Sequence, residues 1–389
     1  MKIFAYNDFI LKEYEKEIYA DDSHILFIKH TAEVYFDNFI LGSRCVKSEK
    51  KGHYFFTSNP QKVLKFPFYA SVSQFFTKPS LLFQAKKILK EEIPNNDVFW
   101  LTWPHPISFL VLAMIGRKKP VVLFVRQNLE ALIEVRYQGI YRFVGKLFTK
   151  FLYTYARTFH SNALVVSIGD EMYHYFKPIF KHNFLISDSV VSQKQQLPPR
   201  TMANKNPRLL FVGRLEPEKG LFDLIKAVQL INQKTPVSLS IVGEGGLEKE
   251  LKDYVASIGF ADKVNFEGYK AFGEDLFELY RTHDIMAISS YSEGLPKIIN
   301  EARAFAMPIV TTKVGGIAKE LNNGETCLFV EAGQPSQFAK AVISLIETPS
   351  LYQEISRNLH DQFNSNSLEY WSGEFAEIVK TYIDKDFKK

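Results

Sequence analysis

Two carboxylates bracket a loop-to-helix junction in the run Glu293-Gly294-Leu295-Pro296-Lys297-Ile298-Ile299-Asn300-Glu301-Ala302. Upstream, the apolar run into Ala287-Ile288-Ser289-Ser290 reads as a strand. Gly294 permits a tight turn, and Pro296 suits a first helical turn, where its missing N–H leaves no bond unmade. The spacing predicts a helix from about Pro296 to Ala306, stopped by Met307-Pro308. Glu293 then sits in the loop beside the helix N-terminus, and Glu301 projects about one and a half turns further in. Free backbone N–H groups at such an N-terminus accept an anionic diphosphate. Carboxylates repel phosphate, so they must serve hydroxyls elsewhere on the ligand. Phosphate together with sugar or ribose hydroxyls points to a nucleotide sugar.

Three further segments fall at strand ends. In Gly213-Arg214-Leu215-Glu216-Pro217-Glu218-Lys219-Gly220, two cations five residues apart precede a helix. Arg214 can grip a phosphate with two N–H groups, and Lys219 can add a second charge; an ordinary solvated basic loop is the other reading. Gly243-Glu244-Gly245-Gly246 is a glycine-rich turn, a common pattern with low specificity. Val314-Gly315-Gly316, followed by Asn323-Gly324, could bring backbone amides to the same ligand or simply turn the chain from strand to helix.

The elements that position these loops alternate cleanly after residue 207. Strands are predicted at Arg208–Gly213, Ser238–Gly243, Val264–Gly268, Ile285–Ile288, Ile309–Thr311 and Cys327–Val330, with helices mostly between them. That is a doubly wound parallel sheet, whose ligand site lies beyond the carboxyl ends of the strands. The polar, proline-bearing stretch Ser192–Pro207 reads as a linker between two domains. The first half alternates less legibly. Strands fit Lys2–Tyr6, His24–Phe27, Asp97–Leu101, Val121–Val125 and Ala163–Ile168, and helices fit Ser80–Glu92, Ile107–Gly116 and Gly139–Thr158. A last helix, about Ser367 to Asp384, puts Trp371, Phe375, Ile378 and Ile383 at spacings that bury one face.

With 389 residues and 46% apolar residues the chain can fill two packed domains. Cys45 and Cys327 form no disulfide or metal framework, which fits a reducing cytoplasm. The N-terminus has no signal-peptide pattern, and the longest apolar run, Ile107–Ile115, falls short of the roughly 18 residues of a membrane span. Charge is uneven. Residues 1–200 hold 27 Lys and Arg against 17 Asp and Glu, and the remainder 21 against 26. The basic half is also rich in aromatics, which suits an anionic membrane face or a charged glycan. No recognition motif accompanies the charge, so nucleic acid is not an expected partner.

Taken in order, Gly213-Arg214-Leu215 with Lys219-Gly220, Val242-Gly243-Glu244-Gly245, Ser292-Glu293-Gly294-Leu295-Pro296 with Glu301-Ala302, and Val314-Gly315-Gly316 resemble the retaining glycosyltransferases of family 4 (glycosyl transferases group 1). The likeness runs from about Arg208 to Asp361 and fades before the linker. It implies a GT-B fold: two Rossmann-like domains facing across a cleft, with the terminal helix crossing back to the first. Residues 1–195 with 367–389 would bind the acceptor, and 205–366 the donor. By this resemblance Arg214, Lys219 and Glu293 are the catalytic groups. Arg214 and Lys219 would hold the donor diphosphate, Glu293 the transferred sugar and Glu301 the ribose. Gly213, Gly243, Gly268, Tyr269, Gly294, Leu295 and Pro296 would line the donor, with Gly268-Tyr269 meeting the base. The donor would be a UDP- or GDP-sugar, with no cofactor and no metal. The acceptor would be a saccharide, lipid-linked or free, of a bacterial surface polysaccharide or lipopolysaccharide. A small soluble acceptor, or a non-catalytic subunit that binds nucleotide sugars within a glycan-assembly complex, are the alternatives.

The first half departs from this family. Where many members carry a glycine-rich loop after the first strand, this chain has Tyr6-Asn7-Asp8-Phe9; where many place a histidine after a central strand, it has Arg126-Gln127-Asn128. Arg126 and Asn128 are candidate acceptor contacts. His105, in Leu101-Thr102-Trp103-Pro104-His105-Pro106, is either a third contact, with Trp103 stacking on sugar, or a packed loop histidine. In Gly139–Thr158, Arg142, Lys146 and Lys150 share one stripe, and Phe143, Leu147 and Phe151 another. Such a helix either lies on an anionic leaflet or packs as a core helix with a solvated basic face.

Overall fold

The computed structural model describes residues 1–387 except Pro60, Gln61, Gln127, Asp188, Ala203, Lys205 and Leu295. Leu295 and Gln127, both singled out from the sequence, therefore lie outside the described residues. The chain divides into two compact units, Met1–Val190 with Leu368–Lys389, and Val191–Ser367.

In the first unit the strands are β1 (Lys2–Tyr14), β2 (Glu17–Ala20), β3 (Asn38–Lys47), β4 (Tyr54–Thr57), β5 (Val63–Phe66), β6 (Val98–Thr102), β7 (Val121–Val125), β8 (Leu164–Ile168) and β9 (His182–Ile186). Strands β5, β3, β1, β6, β7, β8 and β9 pair in that order, all parallel. Strands β2 and β4 add an antiparallel wing to the far half of β1. Val121 to Val125 are buried without alternation, as expected where helices cover both faces of a parallel sheet.

Several first-half expectations need correction. His24–Phe27 is not a strand, because Ile25–Tyr35 is a helix. Its start is a turn in which Asp22 accepts from the His24 and Ile25 amides, and Ile25, Phe27, Ile28, Thr31 and Ala32 form its buried face. The first strand runs on to Tyr14 rather than ending at Tyr6. Strands β2 to β5 and β9 escaped the sequence reading, because their charged or short runs carry little periodicity.

The terminal helix Leu368–Asp386 belongs to this unit. Phe375 anchors it, with its ring 4.5 Å from that of Trp100 and 5.8 Å from that of Phe124. Leu368, Phe375, Ala376, Val379, Tyr382 and Ile383 are buried, whereas Trp371 and Ile378 lie at the margin of that face.

The second unit has the strands β10 (Arg208–Val212), β11 (Ser238–Val242), β12 (Val264–Gly268), β13 (Ile285–Ile288), β14 (Ile309–Thr312) and β15 (Cys327–Val330). They order as β12-β11-β10-β13-β14-β15, all parallel. The chain winds outward from β10 in both directions, so the switch point falls between β10 and β13. The stretch Ser192–Pro207 is pinned to this unit despite its polar composition. Arg200 donates from Nη1 to His283 O and from Nη2 to Tyr280 O, each at 2.7 Å, and the Leu197 amide donates to Ala304 O.

Candidate functional site

The loops that leave β10, β11, β13 and β14 come together at the carboxyl edge of the second sheet. Gly213 N donates to Val242 O, Leu215 N to Glu244 O and Tyr291 N to Glu218 O. Ser289 Oγ donates to Lys219 O at 2.8 Å, Thr312 Oγ1 to Ser290 O at 2.6 Å, and Gly316 N to Gly294 O at 2.9 Å. Two glycines are set by this crowding. Gly220, at φ 63°, would place a Cβ 2.2 Å from Ser289 O, and Gly315, at φ 49°, would place one 1.9 Å from Glu293 O.

Inside this ring, Lys219 Nζ donates to Glu293 Oε1 at 2.5 Å, and Ser290 Oγ donates to the same oxygen at 2.7 Å. Both partners of the ion pair are largely shielded, at 14% and 11% side-chain exposure. Arg214 is the opposite case: it is 72% exposed, with Nη2 3.0 Å from Glu218 Oε1. A contact at such exposure holds weakly, so the guanidinium is free to swing to an anion.

Glu301, which the spacing places one and a half turns into the helix, is 6% exposed. The helix is shorter than expected, Ile298–Ala304, and the Glu301 side chain is buried inside it. Tyr280 Oη donates to Glu301 Oε2 at 2.5 Å. Burial raises the Glu301 carboxyl above its usual range, with the Tyr280 hydrogen bond and the Lys297 charge opposing the shift. Tyr280 was invisible to motif reading, because it sits on the helix Glu274–Thr282 and its spacing to Glu301 has meaning only in the fold. Gly243, Gly268 and Tyr269 lie at the ends of β11 and β12, where Gly243 N donates to Gly268 O. Tyr269 is 49% exposed, Gly294 is exposed and Pro296 half-buried.

In the first unit the three acceptor candidates make different contacts. Asn128 caps the helix Leu129–Arg136, its Oδ1 accepting from Ala131 N at 3.0 Å and its Nδ2 donating to Glu171 at 2.6 Å. Arg126 lies 3.7 Å from Asp22 and over the Phe9 ring. His105 is buried; its Nδ1 accepts from Ile107 N, and its Nε2 lies 3.0 Å from Tyr69 Oη. Trp103 is 2% exposed, so it packs in the core and is no platform for a sugar.

Comparison with known proteins bears on the fold and on the family likeness. Residues 192–362 match the family model described as glycosyl transferases group 1. An uncharacterized glycosyltransferase of Haemophilus influenzae is 30% identical over 201 residues, which is 50% of this chain and 56% of that protein. The chain spans about half the length of the curated relatives it matches. Among solved structures, Anabaena HepE in complex with UDP superposes with a TM-score of 0.69 at 18% identity, covering 98% of this chain and 100% of that one. The lipopolysaccharide outer core galactosyltransferase WaaB gives 0.67 at 15% identity, covering 98% and 99%. The fold is therefore GT-B: two Rossmann-like units and a C-terminal helix that belongs to the first.

Proposed function

We propose that the chain is a retaining glycosyltransferase of family 4 that moves a sugar from a nucleoside-diphosphate sugar to a saccharide acceptor. The observation that carries this reading is the shielded Lys219–Glu293 pair, with the exposed Arg214 in the same loop as Lys219, at the carboxyl edge of a parallel sheet. Residues 205–366 take the donor, and residues 1–195 with 367–389 take the acceptor. Cleavage of the sugar–phosphate bond builds negative charge on the departing diphosphate, which Arg214 and Lys219 stabilise. Glu293 contacts the transferred sugar, and Glu301 the ribose. Attack from the face the diphosphate leaves retains configuration, and the leaving phosphate oxygen takes the acceptor proton. No protein base is then required. The UDP complex of HepE supports a uridine donor, with GDP-sugars as the other candidate. WaaB supports an acceptor in a cell-surface polysaccharide or lipopolysaccharide.

The helix Gly139–Phe159 supports a cytoplasmic enzyme held peripherally on the inner face of the membrane. Ile140, Phe143, Leu147 and Phe151 form an exposed row on the side opposite the buried Thr149, Leu152, Tyr153 and Ala156. The 21-residue helix carries Arg142, Lys146, Lys150 and Arg157 and no acidic residue. Phe151 also packs on Phe109, but an exposed apolar row bordered along one side by cations matches an anionic lipid surface. Among the described residues no helix is long and apolar enough to cross a membrane.

Calorimetry against UDP, GDP, ADP, TDP and their common sugar derivatives tests the donor. One clear binder, lost in Arg214→Ala, is the expected result. Binding without transfer across a broad acceptor panel would favour a non-catalytic subunit instead, and no binding at all would sink both.

A further inference from the structure

The sequence Tyr6-Asn7-Asp8-Phe9, which replaces a glycine-rich loop, forms a bulge in β1. Between the pairs Tyr6↔Gly42 and Ile10↔Arg44, β1 carries two more residues than β3. Ser43 holds the bulge, its Oγ accepting from Phe9 N at 3.1 Å and lying 2.6 Å from Asn7 O and 2.8 Å from Phe9 O. Bulges re-aim side chains, and this one takes Asp8 out of the ladder.

Asp8 meets groups from the carboxyl ends of three neighbouring parallel strands. Arg44 comes from β3, Tyr69 follows β5 and His105 follows β6. Arg44 Nε lies 3.1 Å from Asp8 Oδ1, an ion-pair contact rather than an aligned hydrogen bond. Its Nη2 donates to Oδ2 at 3.4 Å, and its Nη1 to Tyr69 O at 2.5 Å. Tyr69 Oη donates to Asp8 Oδ1. The direction of the remaining bonds follows from protonation. Burial pushes the His105 imidazole down to about 4, so it is neutral near pH 7. Because its Nδ1 accepts from Ile107 N, its proton sits on Nε2 and goes to Tyr69 Oη. Tyr6 Oη, 2.7 Å from Tyr69 Oη, supplies the other donor. The Tyr6, His105 and Tyr69 side-chain protons thus form a relay that ends at Asp8. Tyr6, Tyr69 and His105 are buried, whereas the Asp8 side chain is 20% exposed. Asp8 is where the network meets solvent.

We infer that Asp8 is a saccharide-binding carboxylate that accepts a hydrogen bond from an acceptor hydroxyl, with Arg44, Tyr69 and His105 as its positioning residues. The assignment rests on the glycosyltransferase reading for what the ligand is. By register the carboxylate lies past the carboxyl end of β6, where parallel sheets bind ligands, although β1 itself runs on to Tyr14. Its neighbours are fixed before the ligand arrives, so little ordering remains to be done on binding. Arg44 neutralises it, which suits a neutral polyol better than a cation. His105 then acts from behind Asp8 and does not touch the acceptor.

Saturation-transfer NMR with the methyl α- and β-glycosides of glucose, galactose and N-acetylglucosamine tests the site on the full chain. Nucleotide binding is measured by calorimetry on the same samples. Asp8→Asn is expected to abolish the glycoside signal, or weaken binding at least ~10-fold, the loss of one charge-assisted hydrogen bond. Nucleotide affinity should stay near that of the parent, while the melting temperature falls, because Arg44 loses the charge that pairs it. Tyr69→Phe should weaken glycoside binding less. An undiminished signal in Asp8→Asn overturns the inference, as does a parent protein that binds none of the glycosides while binding nucleotide. If Asp8→Asn fails to fold, Asp8→Glu, which keeps the charge for Arg44 but displaces the oxygens, takes its place with the same expectations. Loss of nucleotide binding in the parent would instead count against the glycosyltransferase reading itself.

Discussion

Lys219 and Glu293, 74 residues apart in the chain, hold each other at 2.5 Å in a largely shielded pocket of the second unit. Each neutralises the other, so a diphosphate bound as proposed would compete with Glu293 for the Lys219 ammonium. Removing one partner leaves the other half-desolvated and unpaired. Lys219→Ala should therefore cost about 2 kcal/mol of stability, reduced from the fully buried case by the remaining exposure. Turnover should fall ~100-fold while nucleoside affinity changes little, because the ammonium acts on the charge that develops at the leaving group. Thermal melts and steady-state kinetics check both. The double variant Lys219→Ala with Glu293→Ala should recover part of the stability, and strict additivity of the two losses would count against the coupling.

If Glu301 meets the ribose as proposed, donor binding should depend on pH. Its carboxyl is raised by burial, and ribose hydroxyls donating to it would favour the ionised form. Nucleotide binding should then release a proton at mildly acidic pH, and affinity should rise with pH until the carboxyl is fully ionised. Tyr280→Phe removes one stabilising donor and should move that rise to higher pH. Calorimetry in buffers of different ionisation enthalpy measures the proton, and Glu301→Gln should abolish its release along with much of the affinity. Release that persists in Glu301→Gln would assign it to another group.

Gly315→Ala tests how the loops brace one another. The new Cβ would meet the carbonyl of Glu293, and the positive φ adds about 1–2 kcal/mol of its own. Gly324→Ala carries a similar φ of 79° with nothing within 4 Å, so it suffers the backbone cost alone. Donor binding should drop sharply in the first variant and survive in the second. Equal binding by both would mean that the Glu293 loop tolerates displacement.

The exposed row of the helix Gly139–Phe159 predicts a surface effect separate from chemistry. Phe143→Glu with Leu147→Glu should reduce binding to phosphatidylglycerol-containing vesicles at least ~10-fold, since two apolar side chains no longer transfer to lipid and two like charges are added. Nucleotide binding should be unaffected. Co-sedimentation with anionic and neutral vesicles reads the effect, and a concentration-dependent dimer lost in the variant would identify a protein interface instead.

His105 gives the first unit an acid-sensitive step. Its pKa of about 4 lies below the ordinary histidine value, so the unfolded chain binds more protons between the two. The stability from burying the neutral ring is fully present above about pH 6.5 and is lost as pH falls toward 4, by about 3 kcal/mol in all. His105→Gln should flatten this part of the stability profile. An unchanged slope would place the acid sensitivity elsewhere.

The second unit was largely legible in the sequence because its signals are local. Buried parallel strands are short apolar runs, and the turns that follow them need glycine or a cap at fixed offsets. Arg208–Val212 through Cys327–Val330 could be read off in order for that reason. In the first unit the same logic failed at His24–Phe27 and missed β2 to β5 and β9, whose short or charged runs lose periodicity. The motif around Glu293 and Glu301 identified two acids but not their surroundings. That one is clamped by Lys219 and the other is buried against Tyr280 depends on which helix packs behind which strand, and spacing carries no such information. The same holds for Asp8, whose sequence context shows only a missing glycine loop. What makes it distinct is a bulge held by Ser43 and a network gathered from other strand ends. The sequence by itself determined the order of strands and the residue types at the turns. The tertiary structure decided burial and partnership, because desolvation and hydrogen bonding depend on neighbours that the chain brings together only when it folds.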